Sequence, residues 1–414
     1  MLALALLGGC AGAGSLERFP SEATSDRTDS LTLATVQLFP TGAEEALPVL
    51  VLDQKQTLTL AFDWLGAEPP PALEVVFYHL DRTGRPDLLP TQYMARFDRD
   101  VVRDYRASIR TRIPYYHVRY TFPNEQIAFR LSGQYLVRVL HPKTDAVLLE
   151  RRFYVSEQNL EARLHLDWLA SVRGRLPLPV LRVRPPEFVL NPVGDLHACF
   201  AVNGRLEAPD CPPPVLLESP WVEYRSGAFR TPAWIQEPFV LDLTRLEGAR
   251  FPRIRSVEFG GSGVRVQLDT DRLTSPTGGE AELLVGSNPI IRRYAPRADV
   301  DLTAEYVDVD FELELPERRR LEGPVFLVGS FNDFRPGAQF QMRYDPASGR
   351  YRATIRLKQG VYAYQYVTLD GRTGRLRPVF ERLFPNVALF TAFVYYRDPR
   401  IPTDRLLWVG SALR

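Results

Sequence analysis

The sequence is poor in lysine. Of its 414 residues only Lys55, Lys143 and Lys358 are lysines, which leaves 48 arginines against 50 acidic side chains and a net charge of +1. So even a balance excludes the strong field of a nucleic-acid or anionic-membrane binder. The arginine bias fits bidentate pairing with carboxylates, or GC-rich coding. Histidine is scarce too. His79, His117, His141, His165 and His197 include no i, i+4 pair of the kind that ligates metal on a helix, and read as strand and turn residues. A G-x-S-x-G elbow, a Walker loop, H-E-x-x-H and the dinucleotide-binding glycine pattern are all missing. Gly260-Gly-Ser-Gly263 lacks the following helix that a phosphate site requires. Asp98, Asp100 and Asp104 could form a glycosidase pair. They interleave with Arg96, Arg99 and Arg103, however, and read as solvated ion pairs. No catalytic residue, cofactor or metal is expected, and the chain reads as a non-enzyme.

Long apolar runs are also missing. Met1–Cys10 is apolar but far shorter than the roughly 20 residues that span a bilayer. Its end, Leu7-Gly8-Gly9-Cys10, resembles a bacterial lipobox, which makes Cys10 the lipidation site. The basic n-region of such a signal is missing, so an ordinary signal peptide with an incidental cysteine stays open. Residues 11–29 are small, polar and charged, and suit a tether. The two other cysteines, Cys199 and Cys211, border the proline-rich turn 208–214. In an oxidising compartment they suit a structural disulfide better than a metal site, since only His197 lies near.

What is present is a series of short β segments. Leu31–Leu38, Leu58–Trp64, Leu73–Leu80, Tyr115–Phe122 and Tyr135–Leu140 predict a β-sandwich over 30–156. One insertion, Leu88–Tyr105, reads as helix-like. A second β-domain is expected over 157–303, with strands near Leu164–Trp168, Pro179–Val183, Val215–Leu217, Phe239–Leu243 and Val264–Leu268. A third, over 304–414, opens on an alternating strand, 304–315, whose acidic residues face one side. The fold class is all-β: tandem immunoglobulin-like β-sandwiches.

Residues 324–367 form the most distinctive stretch. A strand ending in Gly329-Ser-Phe-Asn-Asp-Phe334, then Leu357-Lys-Gln-Gly-Val-Tyr-Ala-Tyr-Gln-Tyr366, resembles the early-set immunoglobulin-like modules that accompany glycan-processing enzymes. Sugar faces stack on exposed aromatic planes, and the candidates are Phe331, Phe334, Tyr362, Tyr364 and Tyr366. The stretch has no tryptophan, and the three tyrosines serve equally well as half of a core or as a partner surface.

An ordered series along the chain makes a second resemblance. It runs through Thr57-Leu-Thr-Leu-Ala-Phe-Asp-Trp64, Val75-Val-Phe-Tyr-His79, Leu89-Pro-Thr-Gln-Tyr93 and Tyr115-Tyr-His-Val-Arg-Tyr120. It continues through Phe122-Pro-Asn-Glu-Gln126, Leu131-Ser-Gly-Gln-Tyr-Leu-Val137, Arg151-Arg-Phe-Tyr-Val155, the Asn332-Asp-Phe334 turn and Thr391-Ala-Phe-Val-Tyr-Tyr-Arg397. In that order these segments resemble the type IX secretion system plug protein family. The match departs at His79-Leu-Asp81 and around Gly248–Phe251. The resemblance implies a non-enzymatic stopper on the periplasmic side of the outer membrane, docked on the translocon β-barrel and tethered through lipid on Cys10. A reversible stopper needs a polar, Arg- and Tyr-rich interface. Tyr115, Tyr116, Phe331, Phe334 and Arg335 are the candidate partner contacts. The alternative is a glycan-binding lipoprotein.

Overall fold

The structure is a computed structural model. It describes residues 33–413 except for 172–173, 206–209, 227–237, 248–251, 262, 277–287, 292–298, 371–373, 375 and 381–387.

The first nine strands are β1 (Leu33–Pro40), β2 (Val49–Val51), β3 (Leu58–Leu65), β4 (Glu74–Leu80), β5 (Arg99–Val101), β6 (Asp104–Ala107), β7 (Tyr115–Phe122), β8 (Gly133–Leu140) and β9 (Val147–Ser156). They form two sheets, ordered β1-β3-β7-β6 and β2-β9-β8-β4-β5. Period-2 alternation sends Leu58, Leu60 and Phe62 from one sheet and Val75, Phe77, Val137 and Phe153 from the other into a single core. The expected helical insertion is one turn only, α1 (Pro90–Tyr93). The Tyr93 hydroxyl donates to the Phe77 carbonyl at 2.9 Å, which pins that turn to the sheet. The residues after it extend instead, and β5 pairs with β4.

The next segment supplies β10 (Glu161–Ser171), β11 (Gly174–Arg184), α2 (Pro192–Asp195), β12 (Leu196–Val202), β13 (Pro214–Glu218) and β14 (Trp221–Arg225). The chain then leaves to build β15 (Phe239–Asp242), β16 (Ile254–Gly260), β17 (Gly263–Leu268), α3 (Val300–Thr303), β18 (Tyr306–Leu313), β19 (Val325–Gly329), β20 (Arg343–Asp345), β21 (Arg350–Lys358), β22 (Val361–Leu369) and β23 (Leu376–Pro378). It returns with β24 (Leu389–Arg397) and β25 (Asp404–Leu413). The second sandwich packs the sheet β10-β11-β14-β13 against β12-β24-β25. The third packs β15-β22-β19 against β16-β17-β18-β21-β20.

The third sandwich is therefore an insertion within the second. This differs from the boundary expected between 303 and 304. β15 pairs with β22 and β17 with β18, across that point, while β24 pairs back to β12. Strand periodicity reveals which residues face a core but not which sheet they join, so an insertion leaves no local mark.

Candidate functional site: the joints between the sandwiches

Each sandwich buries part of an outer sheet face against its neighbours, and the groups buried there are polar as well as apolar. On β3 the outward side chain Asp63 is fully buried because the third sandwich covers it. Its cross-strand neighbour is His117 on β7, and across the joint Tyr306 and Lys358 are themselves cross-strand neighbours. His117 donates from Nδ1 to Asp63 Oδ1 at 2.8 Å. Tyr306 and Lys358 each donate to Oδ2 at 2.7 Å. The Lys358 ammonium also donates to the Asp301 carbonyl at 2.7 Å and lies 4.3 Å from the centre of the Tyr115 ring. An ammonium directs its three donors out of any one plane, whereas a guanidinium confines its donors to a single plane.

The joint between the first and second sandwiches has an apolar centre of Tyr154, Cys199, Phe393, Tyr395 and Leu406. The Tyr154 and Phe393 rings are 4.6 Å apart. Around it, Arg405 clasps Glu157 with two bonds of 2.8 Å, and Ser132 donates to the same carboxylate at 2.7 Å. Arg82 reaches the buried Asp404 at 3.3 Å. His79 Nδ1 is 2.7 Å from Asp87, which also accepts from Thr403 of the second sandwich. Gly133 makes room for this imidazole: a Cβ there would sit 2.2 Å from His79 Nε2, and its φ is +154°.

The Gly329–Phe334 turn meets both other sandwiches. Asn332 accepts from the Gly329 amide at 2.8 Å and donates to the Leu327 carbonyl at 3.2 Å, closing the turn on itself. Asp333 and Phe334 both have positive φ, 55° and 56°, a conformation uncommon among non-glycine residues. This aims Phe334 beneath Arg205 of the second sandwich, whose guanidinium is 4.1 Å from the ring centre. Burial lowers the pKa of Arg205 to about 10. Arg335 reaches Glu150 of the first sandwich at 3.4 Å.

Of the five candidate partner contacts, Tyr115 is buried, and Tyr116, Phe331, Phe334 and Arg335 are partly buried. Tyr115 is 1% exposed, and its hydroxyl donates to the carbonyls of Asp301 and Ala304 at 2.9 and 3.0 Å. Tyr116 is half-buried and donates to the Ala67 carbonyl at 3.2 Å. Phe331 packs inside the third sandwich beside Phe340 and Tyr362. Phe334 and Arg335 occupy the joints just described. Aromatic and arginine side chains look alike in sequence whether they meet a partner or another part of their own chain.

The tyrosine ladder is core. Tyr362, Tyr364 and Tyr366 are each no more than 2% exposed, and burial raises their pKa values. Tyr364 and Tyr366 donate to the buried Asp271 at 2.8 and 2.5 Å, and Asp271 also pairs with Arg253. The buried ladder offers no sugar-stacking face, while Phe326, Phe331, Phe334, Phe340 and Tyr344 are half-buried. The acidic row of β18 is matched by arginines. Asp308 pairs with Arg356 at 2.8 Å, Asp310 with Arg265 at 2.7 Å, Glu312 with Arg350 at 3.0 Å and Glu314 with Arg350 at 2.7 Å.

Asp100 accepts from Tyr120 at 2.9 Å and pairs with Arg103 at 3.2 Å. Cys199 and Cys211 are bonded, S–S 2.01 Å. Cys10 lies outside the described residues. Among the described residues no cluster of His, Cys, Asp and Glu could hold a metal ion, and no helix is long and apolar enough to cross a membrane.

Residues 33–157 match the family model described as the Type 9 secretion system plug protein 1st domain, so the expected resemblance holds over that span. No curated protein matches the chain. Among solved structures, a hypothetical protein from Parabacteroides merdae ATCC 43184 superposes with a TM-score of 0.82 at 21% identity, covering 93% of this chain and 98% of that one. It has the same all-β fold. The alkylpurine DNA glycosylase AlkC of Pseudomonas fluorescens, bound to DNA containing an abasic site analog, aligns at a TM-score of only 0.16 and 14% identity over 30% of each chain.

Proposed function

From the premise that residues 33–157 are a Type 9 secretion system plug first domain, which supports a role associated with that system in the cell envelope, we propose that the chain is its stopper. In this reading it docks on the periplasmic side of the outer-membrane translocon barrel and closes the pore when no substrate is passing. The role is mechanical and needs no catalytic residue. Lipid on Cys10 would hold the stopper at the membrane and raise its effective concentration near the barrel.

The structural observation that best supports this reading is the buried Asp63–Lys358 pair between the first and third sandwiches. A stopper must resist deformation, and polar groups satisfied only in one docking geometry fix that geometry. Docking must also be reversible, and specific docking needs about 1,000 Å² or more of interface. The glycan-binding alternative loses the tyrosine ladder as a stacking face, because those three rings are buried.

The test is affinity capture of the full chain from detergent-solubilised outer membranes, with deletion of its gene alongside. The proposal expects co-purification of a large barrel protein, and entry of bulky antibiotics into the deletion strain. Absence of both, or retention on starch resin with no barrel, would overturn it.

A further inference from the structure

Strand β10 lies at the edge of its sheet. Its 11 residues pair with β11 in continuous register without a bulge, and β10 contains no proline. Among the described residues no other strand pairs along its outer side. Exposed edges invite pairing with another chain, and proteins normally blunt them with bulges, proline, short length or a covering segment. The other long edges of this molecule show those devices. β1 and β16 are bulged, β12 is bridged by Asp210, and β25 is covered by backbone bonds from Glu157 and Asn159.

From Glu161 to Leu166 the side chains of β10 alternate between exposed and partly buried. Ala162 and Leu164 pack on the second core, and Leu166 packs on Val202, Ala388 and Phe390. Trp168, next on that face, is 50% exposed. The opposite face presents Glu161, Arg163, His165 and Asp167. Arg163 lies 3.4 Å from Glu161 and 4.8 Å from the centre of the Trp221 ring. Asp167 lies 3.5 Å from His165 and 4.0 Å from Arg225. The side chains of Arg163 and Asp167 remain 69% and 46% exposed.

We propose that β10 is a self-association edge, at which two copies of this chain pair antiparallel over Ala162–Trp168 about a two-fold axis at His165. In that register Arg163 faces Asp167 of the second copy, and the symmetry makes the pair twice. Leu164 faces Leu166, and small Ala162 faces large Trp168. Shifting the axis to Leu164 sets Glu161 against Asp167, and shifting it to Arg163 sets that arginine against itself. Parallel in-register pairing opposes like charges at every charged position. A one-residue slip turns the apolar row to the wrong face. Of these registers only the one centred on His165, where the two His165 side chains meet on the axis, forms both Arg163–Asp167 pairs. A seven-residue ribbon falls short of the roughly 1,200–2,000 Å² of a standard interface, so the association is weak and concentration-dependent.

The test is sedimentation velocity of the full chain from micromolar to several hundred micromolar. Arg163→Asp and Asp167→Arg should each weaken self-association by about tenfold or more, since each places two like-charge pairs across the axis. Mixing these two variants should restore it, because both cross-strand pairs of the mixed dimer again join one acid to one base. The double variant R163D/D167R should also associate like the parent. A parent that stays monomeric throughout, single variants that associate unchanged, or a mixture that stays monomeric would each overturn the proposal.

Discussion

Lys358 Nζ lies 2.7 Å from Asp63 Oδ2, with side-chain exposures of 1% and 0%. One of three lysines in the chain thus meets a carboxylate 295 positions away, in a joint between two sandwiches. Burying this pair costs desolvation. The bonds from His117 and Tyr306 to the same carboxylate help to offset that cost, and the one from Tyr306 forms only when the sandwiches sit as observed.

Lys358→Met should therefore cost about 3–5 kcal/mol, because it leaves the Asp63 carboxylate buried without its cation. Replacing both partners, Asp63→Leu with Lys358→Met, should recover much of that loss. Urea unfolding of the full chain measures both, and limited proteolysis should show the joint opening in the single variant.

Glu314 gives the fold an acid dependence. Hydrogen bonds from Arg272 and Arg350 lower its pKa from 4.5 to about 2. The unfolded glutamate takes its proton near 4.5 and the folded one near 2, so between those values the unfolded chain binds more protons. The contribution of this group is therefore complete above pH 4.5 and disappears as pH falls to about 2. Melting temperature measured across acid pH, from well above the unfolded value down to the folded one, should fall less steeply in Glu314→Gln than in the parent.

Gly133→Ala should lower stability by about 1–3 kcal/mol, since the new methyl group meets the His79 imidazole and the backbone φ is positive. Calorimetry would register a lower melting temperature. His79→Ala in the same chain should relieve part of the loss, because the contact is with that ring.

Replacing both Cys199 and Cys211 by alanine should cost about 2–4 kcal/mol by releasing a constraint on the unfolded chain. The parent should lose a similar amount under reducing conditions, and the double variant none. Melting with and without reductant distinguishes the two.

Much of the secondary structure is legible locally. β7 is found at Tyr115–Phe122 and β22 at Val361–Leu369, because alternation and flanking turn residues are properties of a few neighbours. The insertion of the third sandwich into the second is not legible, because its closing strands β24 and β25 lie far along the chain from β12. Asp63 and Lys358 read as ordinary charges for the same reason: their burial is created by another sandwich. The tyrosine ladder fits core and surface equally in sequence, since Asp271, which accepts from Tyr364 and Tyr366, lies 93 positions from Tyr364. The Gly329–Phe334 turn is legible as a turn, while its contacts with Arg205 and Glu150 depend on the assembled joints.

The central claim, a rigid stopper on a translocon barrel, is tested most directly by capturing the full chain from solubilised outer membranes and identifying what remains bound. The account predicts a large β-barrel protein in stable association, and reduced capture when Lys358→Met loosens the joint. Recovery of the chain without any barrel protein, under conditions where the barrel is intact and abundant, would contradict it.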